Sequence, residues 1–387
     1  MKMKQRMLAN AVGLMAALAV LATVPVTFCA RGAAKWMAGD AENQLRLSRG
    51  VERLVLDEPL TRSRYRTGSS QFNGEWLFGT YLMAGIGFSQ VAIEHPELRE
   101  EQSALARRCI ERLLEPEVRA FDGEMWGADP LDSIGGRGHH AAYLGYLNFL
   151  LGLYRMASGD ETYAELNDRI TADLVRHLSV SRIGLLESYP GEVYPVDNCF
   201  VIGSIGLHQR VSGQDHSEVI NRWVNNTRAR YVDQETGLLI QAVDAWDGAA
   251  GDDPRGSGTA LGLFAVHHAD SRFAAELYAG IRKTLARNWL GFGAVREYSA
   301  ANPGRGDIDS GPIIFGYGFS ATGFSIAGAR RCGDDEYFRR LFATAHLCGA
   351  PLDRAGRREY VSGGALGNAI LFAMLTIPRD SEIGGSK

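Results

Sequence analysis

Cysteine is scarce in this sequence, and the few cysteines are not arranged as metal ligands. Five cysteines occur among 387 residues, without a Cys-x-x-Cys pair or a nearby cluster of histidines. We therefore expect no structural zinc site. Cys332 and Cys348 could form a disulfide in an oxidising compartment, and buried free thiols are the alternative.

Positive charge is also scarce, and the common cofactor motifs are missing. The formal net charge is −4 and no run of lysine and arginine is present, so nucleic acid is not an expected partner. The chain lacks a G-x-S-x-G nucleophile motif, a P-loop and a dinucleotide-binding glycine motif. We expect no cofactor and no metal, which leaves the chemistry to carboxylates, tyrosines and histidines.

One long hydrophobic run stands near the N-terminus. Lys2, Lys4 and Arg6 precede an uncharged stretch at residues 7–30. This pattern is typical of a secretion signal, with cleavage after Ala34, and the run is also long enough to cross a bilayer as an anchor. We predict that residues 1–35 are a signal peptide or a membrane anchor. The remainder would be exported, either to the periplasm or to the periplasmic face of the bacterial inner membrane.

The rest of the chain repeats one helical theme, in which an apolar helix, a short turn and an amphipathic helix follow each other. The turns fall at Pro96, Asp160, Asp215, Asp270 and Asp334, at steps of 55 or 64 residues. Such a period indicates a repeat architecture, with inner helices that are apolar on most sides and outer helices that are amphipathic. We predict an all-α fold, an (α/α)6 barrel or toroid of helical hairpins, formed as a single domain by residues 36–387.

In such a toroid, long connections from each outer helix to the next inner helix lie on one face, where functional residues tend to gather. These connections and the adjoining helix starts are rich in acids, aromatics and glycine. We predict that they line one cleft and bind substrate through Trp126, Asp129, His140, Tyr146, Tyr189, Tyr194, Trp246, Arg296 and Tyr298.

Four acids of these connections are candidate catalytic groups. In "GRGDIDSGPI", Asp307 or Asp309 could be a general acid or base at the mouth of the cleft. Alternatively, Asp309 or the following serine caps a helix. Glu187, beside a tyrosine, is expected in a partly apolar pocket that raises its pKa toward acid catalysis. Asp197 could be catalytic or could cap the helix that follows.

Several segments resemble the linalool dehydratase/isomerase family: "WGADP", "YLNFLLGLYRMASGDETYAE", "VDNCFVIGSIGL", "YVDQETGLL" and "GDIDSG…SATGF". The similarity covers most of residues 70–375. It implies an exported α/α-toroid enzyme that interconverts monoterpene alcohols without a cofactor, and a homo-oligomer. Asp197 and Asp309 match positions of the family, whereas the family's histidine and two cysteines correspond here to Tyr146, Tyr194 and Gly203.

The acids and aromatics in the connections favour a different chemistry on the same kind of fold. We predict an exported carbohydrate-active enzyme, an inverting glycoside hydrolase that uses a carboxylate pair in an aromatic-lined cleft on an oligo- or polysaccharide. The pair would be Asp309 with Glu187 or Asp197. One alternative is a terpenoid lyase or isomerase acting on a monoterpene alcohol, and a second is a non-catalytic glycan-binding protein.

Overall fold

A computed structural model describes residues 2–300, 304, 306–308 and 310–379. Its α-helices in chain order are α1 (Lys2–Cys29), α2 (Ala33–Met37), α3 (Ala41–Val55), α4 (Ser70–Glu94), α5 (Arg99–Leu113), α6 (Pro116–Trp126), α7 (Ala141–Ser158), α8 (Ala164–Val180), α9 (Pro195–Ser212), α10 (Ser217–Arg230), α11 (Gly256–Val266), α12 (Ser271–Thr284), α13 (Phe319–Arg331), α14 (Asp335–Gly349) and α15 (Gly364–Thr376).

Eight short strands form four two-stranded antiparallel sheets within the described chain. The strands are β1 (Glu192–Val193), β2 (Val243–Asp244), β3 (Ala286–Trp289), β4 (Phe292–Val295), β5 (Ile313–Ile314), β6 (Tyr317–Gly318), β7 (Pro351–Arg354) and β8 (Arg357–Tyr360). They pair as β1–β2, β3–β4, β5–β6 and β7–β8. All of them lie in the long connections and not in the core.

Six inner helices form a closed ring in which each packs against the next: α4, α7, α9, α11, α13 and α15, with α15 returning to α4. The helices α5, α8, α10, α12 and α14 each follow an inner helix and lie outside it, and α3 is the sixth outer helix, against α15 and α4. The predicted (α/α)6 toroid is therefore confirmed, and α3, from the N-terminal part of the chain, completes the last helical pair with α15.

The predicted turns join inner to outer helices on one face, which we call the short-turn face. Asp270 and Asp334 begin outer helices there, and their carboxylates accept hydrogen bonds from the backbone N–H groups of Phe273 and Tyr337 at 2.8 and 3.0 Å. Aspartate satisfies the free N–H groups of a helix start, which explains its recurrence at this position.

The core lies mainly between the two rings of helices, and its inner helices are buried on most sides. α4 is long and apolar enough to cross a membrane, but 83% of that apolar window is buried inside the ring. Its composition therefore reflects a core position. Close helix contacts also require glycine, because a Cβ at Gly206 of α9 would lie 2.5 Å from the backbone oxygen of His268.

The predicted alternative of a Cys332–Cys348 disulfide is wrong. Both cysteines are exposed, and no disulfide joins them. They lie at opposite ends of α14, which has about four turns and rises about 1.5 Å per residue. The helix therefore keeps the two sulfur atoms too far apart to form a bond. Cys109 and Cys199 are buried free thiols.

Candidate active site

The long connections converge on the face opposite the short turns, which we call the long-loop face. They span residues 56–69, 114–140, 181–194, 231–255, 285–318 and 350–363. Neighbouring connections are fastened to each other, since β1 pairs with β2 and the N–H of Gly256 donates to the backbone oxygen of Glu297 at 2.7 Å. Side chains from several connections are thereby held over the N-terminal ends of the inner helices.

Asp197 lies in the first turn of α9, above the aromatic interior of the ring. Its carboxylate accepts hydrogen bonds from the Tyr146 hydroxyl at 2.7 Å and from the Ser188 hydroxyl at 2.5 Å. The Tyr146 ring stacks on Phe200 with a centroid distance of 3.9 Å. Burial raises the pKa of Asp197, although both hydrogen bonds oppose the shift. Asp197 is therefore a carboxyl group suited to carry a proton.

Glu75 is a second carboxylate held by the same segment of the chain, through the residue that follows Ser188. It lies in the second turn of α4, and the hydroxyl of Tyr189 donates to it at 2.5 Å. Burial and the negative charges of Glu75 and Asp197 raise the pKa of Tyr189 well above its ordinary value. The phenol therefore stays neutral and donates. Because Ser188 and Tyr189 are consecutive, one segment holds both carboxylates.

Glu75 is not among the acids predicted from the sequence, because those acids were expected in the long connections and Glu75 lies inside an inner helix. The available signal was the acid itself in "QFNGEWLF", near the start of an otherwise apolar helix whose N-terminal end lies on the long-loop face. Burying a charged carboxylate without a partner is costly, so an acid on an inner helix must be paired or reach solvent. An acid retained in such a helix therefore indicates a candidate functional position.

Glu187 and Trp126 form one side of the site with the histidine pair at the start of α7. The Nδ1 atom of His139 accepts a hydrogen bond from the Glu187 N–H at 3.1 Å and lies 3.8 Å from its carboxylate. Burial raises the pKa of Glu187, as expected from the sequence, and burial also lowers the pKa of His139 to about 4. Trp126 donates through its indole N–H to the backbone oxygen of Ser188 at 3.3 Å.

His140 is almost fully buried beneath this layer. Its Nδ1 atom lies 2.5 Å from the equally buried carboxylate of Asp122, and its ring packs on Trp126 at 4.6 Å. Burial raises the pKa of Asp122, and the contact with His140 opposes that shift. His140 thus supports Trp126 from below, and its contact with substrate stays a prediction.

Three further predicted binding residues lie around the rim. Asp129 is paired with the guanidinium of Arg119 at 2.7 Å. Tyr194 donates to a carboxylate oxygen of Glu192 at 2.9 Å. Trp246 is 74% exposed. The Arg182 guanidinium lies 4.7 Å from the centre of its ring.

The loop that contains Asp307 is held by a buried arginine. Arg255 donates to both carboxylate oxygens of Asp307, at 2.5 and 2.9 Å, and its Nε lies 3.2 Å from the buried carboxylate of Glu297. Its guanidinium also lies 5.8 Å from the centre of the Tyr298 ring. Arg296 donates to the Tyr298 backbone oxygen at 3.4 Å. Asp307 is therefore a partner in an ion pair.

Asp309 lies outside the described residues, so the structure places neither its carboxylate nor its distance from other acids. Of the remaining predicted acids, Asp197 occupies the centre of the site, Glu187 one side of it and Asp307 the loop held by Arg255. No group of three or more His, Cys, Asp or Glu side chains that could hold a metal ion is found among the described residues.

A cavity of about 210 Å³ lies elsewhere, between α11, α12 and α13 on the short-turn face. His267, Ser271 and Cys332 are among its lining residues, and none of the described side chains that line it carries a carboxylate. Burial keeps the pKa of His267 well below its ordinary value. This cavity therefore offers no acid pair, and the long-loop face remains the candidate site.

No family model matches the chain. Among solved structures, an α-1,6-mannanase of glycoside hydrolase family 76 from Salegentibacter sp. HEL1_6 matches 87% of this chain and 99% of its own, with TM-score 0.51 and 12% identity. An inactive variant of that enzyme, in complex with α-1,6-mannotriose, matches at the same coverage and identity with TM-score 0.53. An unsaturated glucuronyl hydrolase specific for heparin matches 88% of this chain and 96% of its own, with TM-score 0.50 and 10% identity.

The chain therefore has the α/α-toroid fold that these glycosidases share. The resemblance to the linalool dehydratase/isomerase family is wrong, because these structural neighbours are glycoside hydrolases. The short segments that suggested it contain the turns and inner-helix glycines that a toroid requires for packing. The enzyme class predicted from the acids and aromatics agrees with that of the neighbours.

Proposed function

We propose that the protein is a glycoside hydrolase in which Asp197 is the general acid and Glu75 is the second carboxylate. The observation that carries the proposal is the Ser188–Tyr189 segment, whose adjacent hydroxyls hydrogen-bond to Asp197 and Glu75. Glycosidic hydrolysis requires two carboxyl groups of different protonation at one site. Burial with a raised pKa favours the protonated form of Asp197.

The second carboxylate would act as the base that activates water, and we expect inversion at the anomeric carbon. Ser188 and Tyr189 hydrogen-bond to the two carboxyl groups through separate hydroxyls, one to each acid. Inversion requires room for a water molecule between acid and base, and we propose that the site provides it. Asp309 and Glu187, predicted from the sequence, remain candidates for the same role.

The aromatic and polar groups around the two acids would bind the sugar rings. Exposed aromatic faces stack on the apolar faces of sugars, and Trp246 presents such a face. Trp126, Tyr194, Tyr298 and Arg296 would complete the subsites. The structural neighbours act on α-1,6-mannan or on an unsaturated glucuronide of heparin, so a carbohydrate chain of two or more units is the proposed substrate class.

We propose that the enzyme acts outside the cytoplasm, because a basic segment and an apolar run precede the toroid.

The test is product detection by mass spectrometry with the full chain in detergent and a glycan panel that begins with α-1,6-mannotriose. Wild-type protein should release shorter saccharides, and Asp197→Asn and Glu75→Gln should each reduce that release by about 100-fold or more. Asp215→Asn is the matched control, because that exposed aspartate lies on the short-turn face, and it should be fully active. Binding of a glycan without release of product would show a glycan-binding protein instead.

A further inference from the structure

Exposed apolar side chains form a patch on the long connection at residues 285–318 and the first residue of α13. We call this group the apolar patch; its residues, with their exposed fractions, are Trp289 (62%), Leu290 (71%), Ile314 (50%), Phe315 (92%) and Phe319 (46%). The indole N–H of Trp289 donates to the Tyr317 hydroxyl at 2.6 Å, which joins the tip of the β3–β4 hairpin to the β5–β6 hairpin. Clustered exposed apolar groups of this size mark a binding surface.

The C-terminal end of α1 lies directly beside the patch. Val26 and Cys29 pack with Ala343 of α14 in a small buried cluster, against which Phe292 of β4 also packs. Val26 packs directly on Gly291 at the hairpin tip. A Cβ on Gly291 would lie 2.9 Å from the Val26 side chain. α1 therefore ends at the patch.

The exposed surface of α1 is itself apolar. Its described apolar side chains that are more than half exposed are Val12, Leu14, Met15, Val20, Val24 and Phe28. The helix has 28 residues, which at 1.5 Å per residue exceeds the hydrocarbon thickness of a bilayer. Immediately after it, Arg31 and Lys35 are exposed and positively charged.

Residues on both sides of the predicted cleavage point belong to the folded protein. Ala33, Trp36 and Met37 of α2 are buried in the main core, and the Trp36 backbone oxygen accepts from buried Arg330 at 3.2 Å. Cleavage after Ala34 would cut through this packed segment and remove the helix that covers Ala343. The packing favours a retained α1.

We propose that the apolar patch docks on a lipid bilayer that α1 crosses, and that the enzyme acts on glycans held at that membrane surface. Tryptophan at the headgroup boundary and flanking arginine and lysine are typical of such contacts. The connection that carries most of the patch also carries Asp307, which pairs with Arg255 of the preceding connection on the long-loop face, so docking brings this side of the site to the lipid. The substrate part of this inference rests on the proposed hydrolase function, and the docking part does not.

Docking is tested by fluorescence quenching with the full chain reconstituted in phosphatidylethanolamine–phosphatidylglycerol vesicles that contain brominated lipid. Bromine quenches tryptophans within the bilayer boundary, so Trp289→Phe should remove most of the quenching. Trp246→Phe is the matched control, because it removes a tryptophan that is at least as exposed from another connection, and it should leave the quenching unchanged. Equal quenching in wild type and Trp289→Phe overturns the docking, as does a dimer in detergent in which a second copy covers the patch.

Hydrolysis tests the substrate class separately, with α-1,6-mannotriose either free or coupled to a lipid in the same vesicles. The double variant Leu290→Ser/Phe315→Ser should lose about tenfold or more on the vesicle-bound saccharide and nothing on the free one, because it weakens insertion of two large apolar side chains. Equal loss on both substrates, or no loss on either, overturns the membrane-bound substrate class. If the wild type cleaves neither saccharide, the membrane-bound substrate class is contradicted. The glycan panel then decides whether the protein is a hydrolase. The docking is decided by the quenching result alone.

Discussion

The hydroxyl of Tyr146 donates to the carboxylate of Asp197 across 2.7 Å, joining the neighbouring inner helices α7 and α9 on the long-loop face. Tyr146 in turn stacks on Phe200, one turn beyond Asp197. The carboxyl group is thus fixed by α7, by α9 and by the Ser188 hydroxyl of the connection above. A group fixed on three sides in a low-dielectric setting is pre-organised for proton transfer.

Replacing Asp197 by asparagine should reduce kcat/KM on a cleaved glycan by about 10²–10⁴-fold, the usual contribution of a positioned general acid. The amide keeps the size of the side chain, so the fold should be retained. Steady-state kinetics with circular dichroism checks both points. Activity within twofold of wild type would remove Asp197 from the mechanism.

Tyr146→Phe should shift the alkaline limb of the pH profile of kcat/KM to higher pH. The Tyr146 hydroxyl stabilises the ionised form of Asp197, and its loss raises further a pKa that burial has already raised. A general acid is active while protonated, so its activity persists to higher pH when its pKa rises. Phe200→Leu serves as the comparison, because it alters the same stack without removing a donor. A limb that moves equally in both variants would indicate a packing effect.

Asp197→Asn should also make the protein more stable at neutral pH. Because the folded-state pKa of Asp197 lies above its ordinary value of 3.8, the protonated carboxyl contributes its full stability below that value, and the contribution is lost as the pH rises through the raised pKa. The neutral amide avoids this loss. Urea unfolding from pH 3.5 to pH 8 should show variant and wild type converging at low pH and separating as the pH rises.

The toroid could be predicted from the sequence because its period is set by local chemistry. Asp270 and Asp334 cap the outer helices that follow them, and aspartates also occupy the turns at Asp160 and Asp215. The candidate site could be predicted only in part. Glu75 and Asp197 meet through a segment more than a hundred residues from Glu75 along the chain, and no local pattern records such a contact.

The acidic loop also shows that long-range contacts cannot be predicted from local sequence. "GRGDIDSGPI" suggested a catalytic carboxylate, yet Asp307 is bound by Arg255, which stands 52 residues away in sequence. The sequence around Arg255, "DDPRGSG", contains nothing that distinguishes an exposed arginine from a buried one. Its burial follows from the long-range approach of the buried Glu297.

Arg255→Met should lower the free energy of unfolding by about 3–5 kcal/mol, because it leaves the buried carboxylate of Glu297 without its cation. Asp307→Asn should cost less than about 1 kcal/mol, since Asp307 is half exposed and solvent screens its charge. Urea denaturation of both variants measures the difference. Similar losses would mean that Arg255 is held by the exposed loop and not by Glu297.

Gly206→Ala should destabilise the protein by about 1–3 kcal/mol, the usual cost of overpacking. A methyl group there would meet the backbone oxygen of His268 at 2.5 Å, and backbone cannot move aside as a flexible side chain can. The matched control is Gly323→Ala in α13, where a Cβ has no described neighbour within 4 Å and the helix should gain about 0.5–1 kcal/mol. Opposite shifts in urea midpoint are therefore expected from the same chemical change. The prediction is contradicted if the free energy of unfolding falls no more for Gly206→Ala than it changes for Gly323→Ala. That result would mean that α9 can move away from the α11–α12 turn, which close packing in a closed ring of inner helices does not permit.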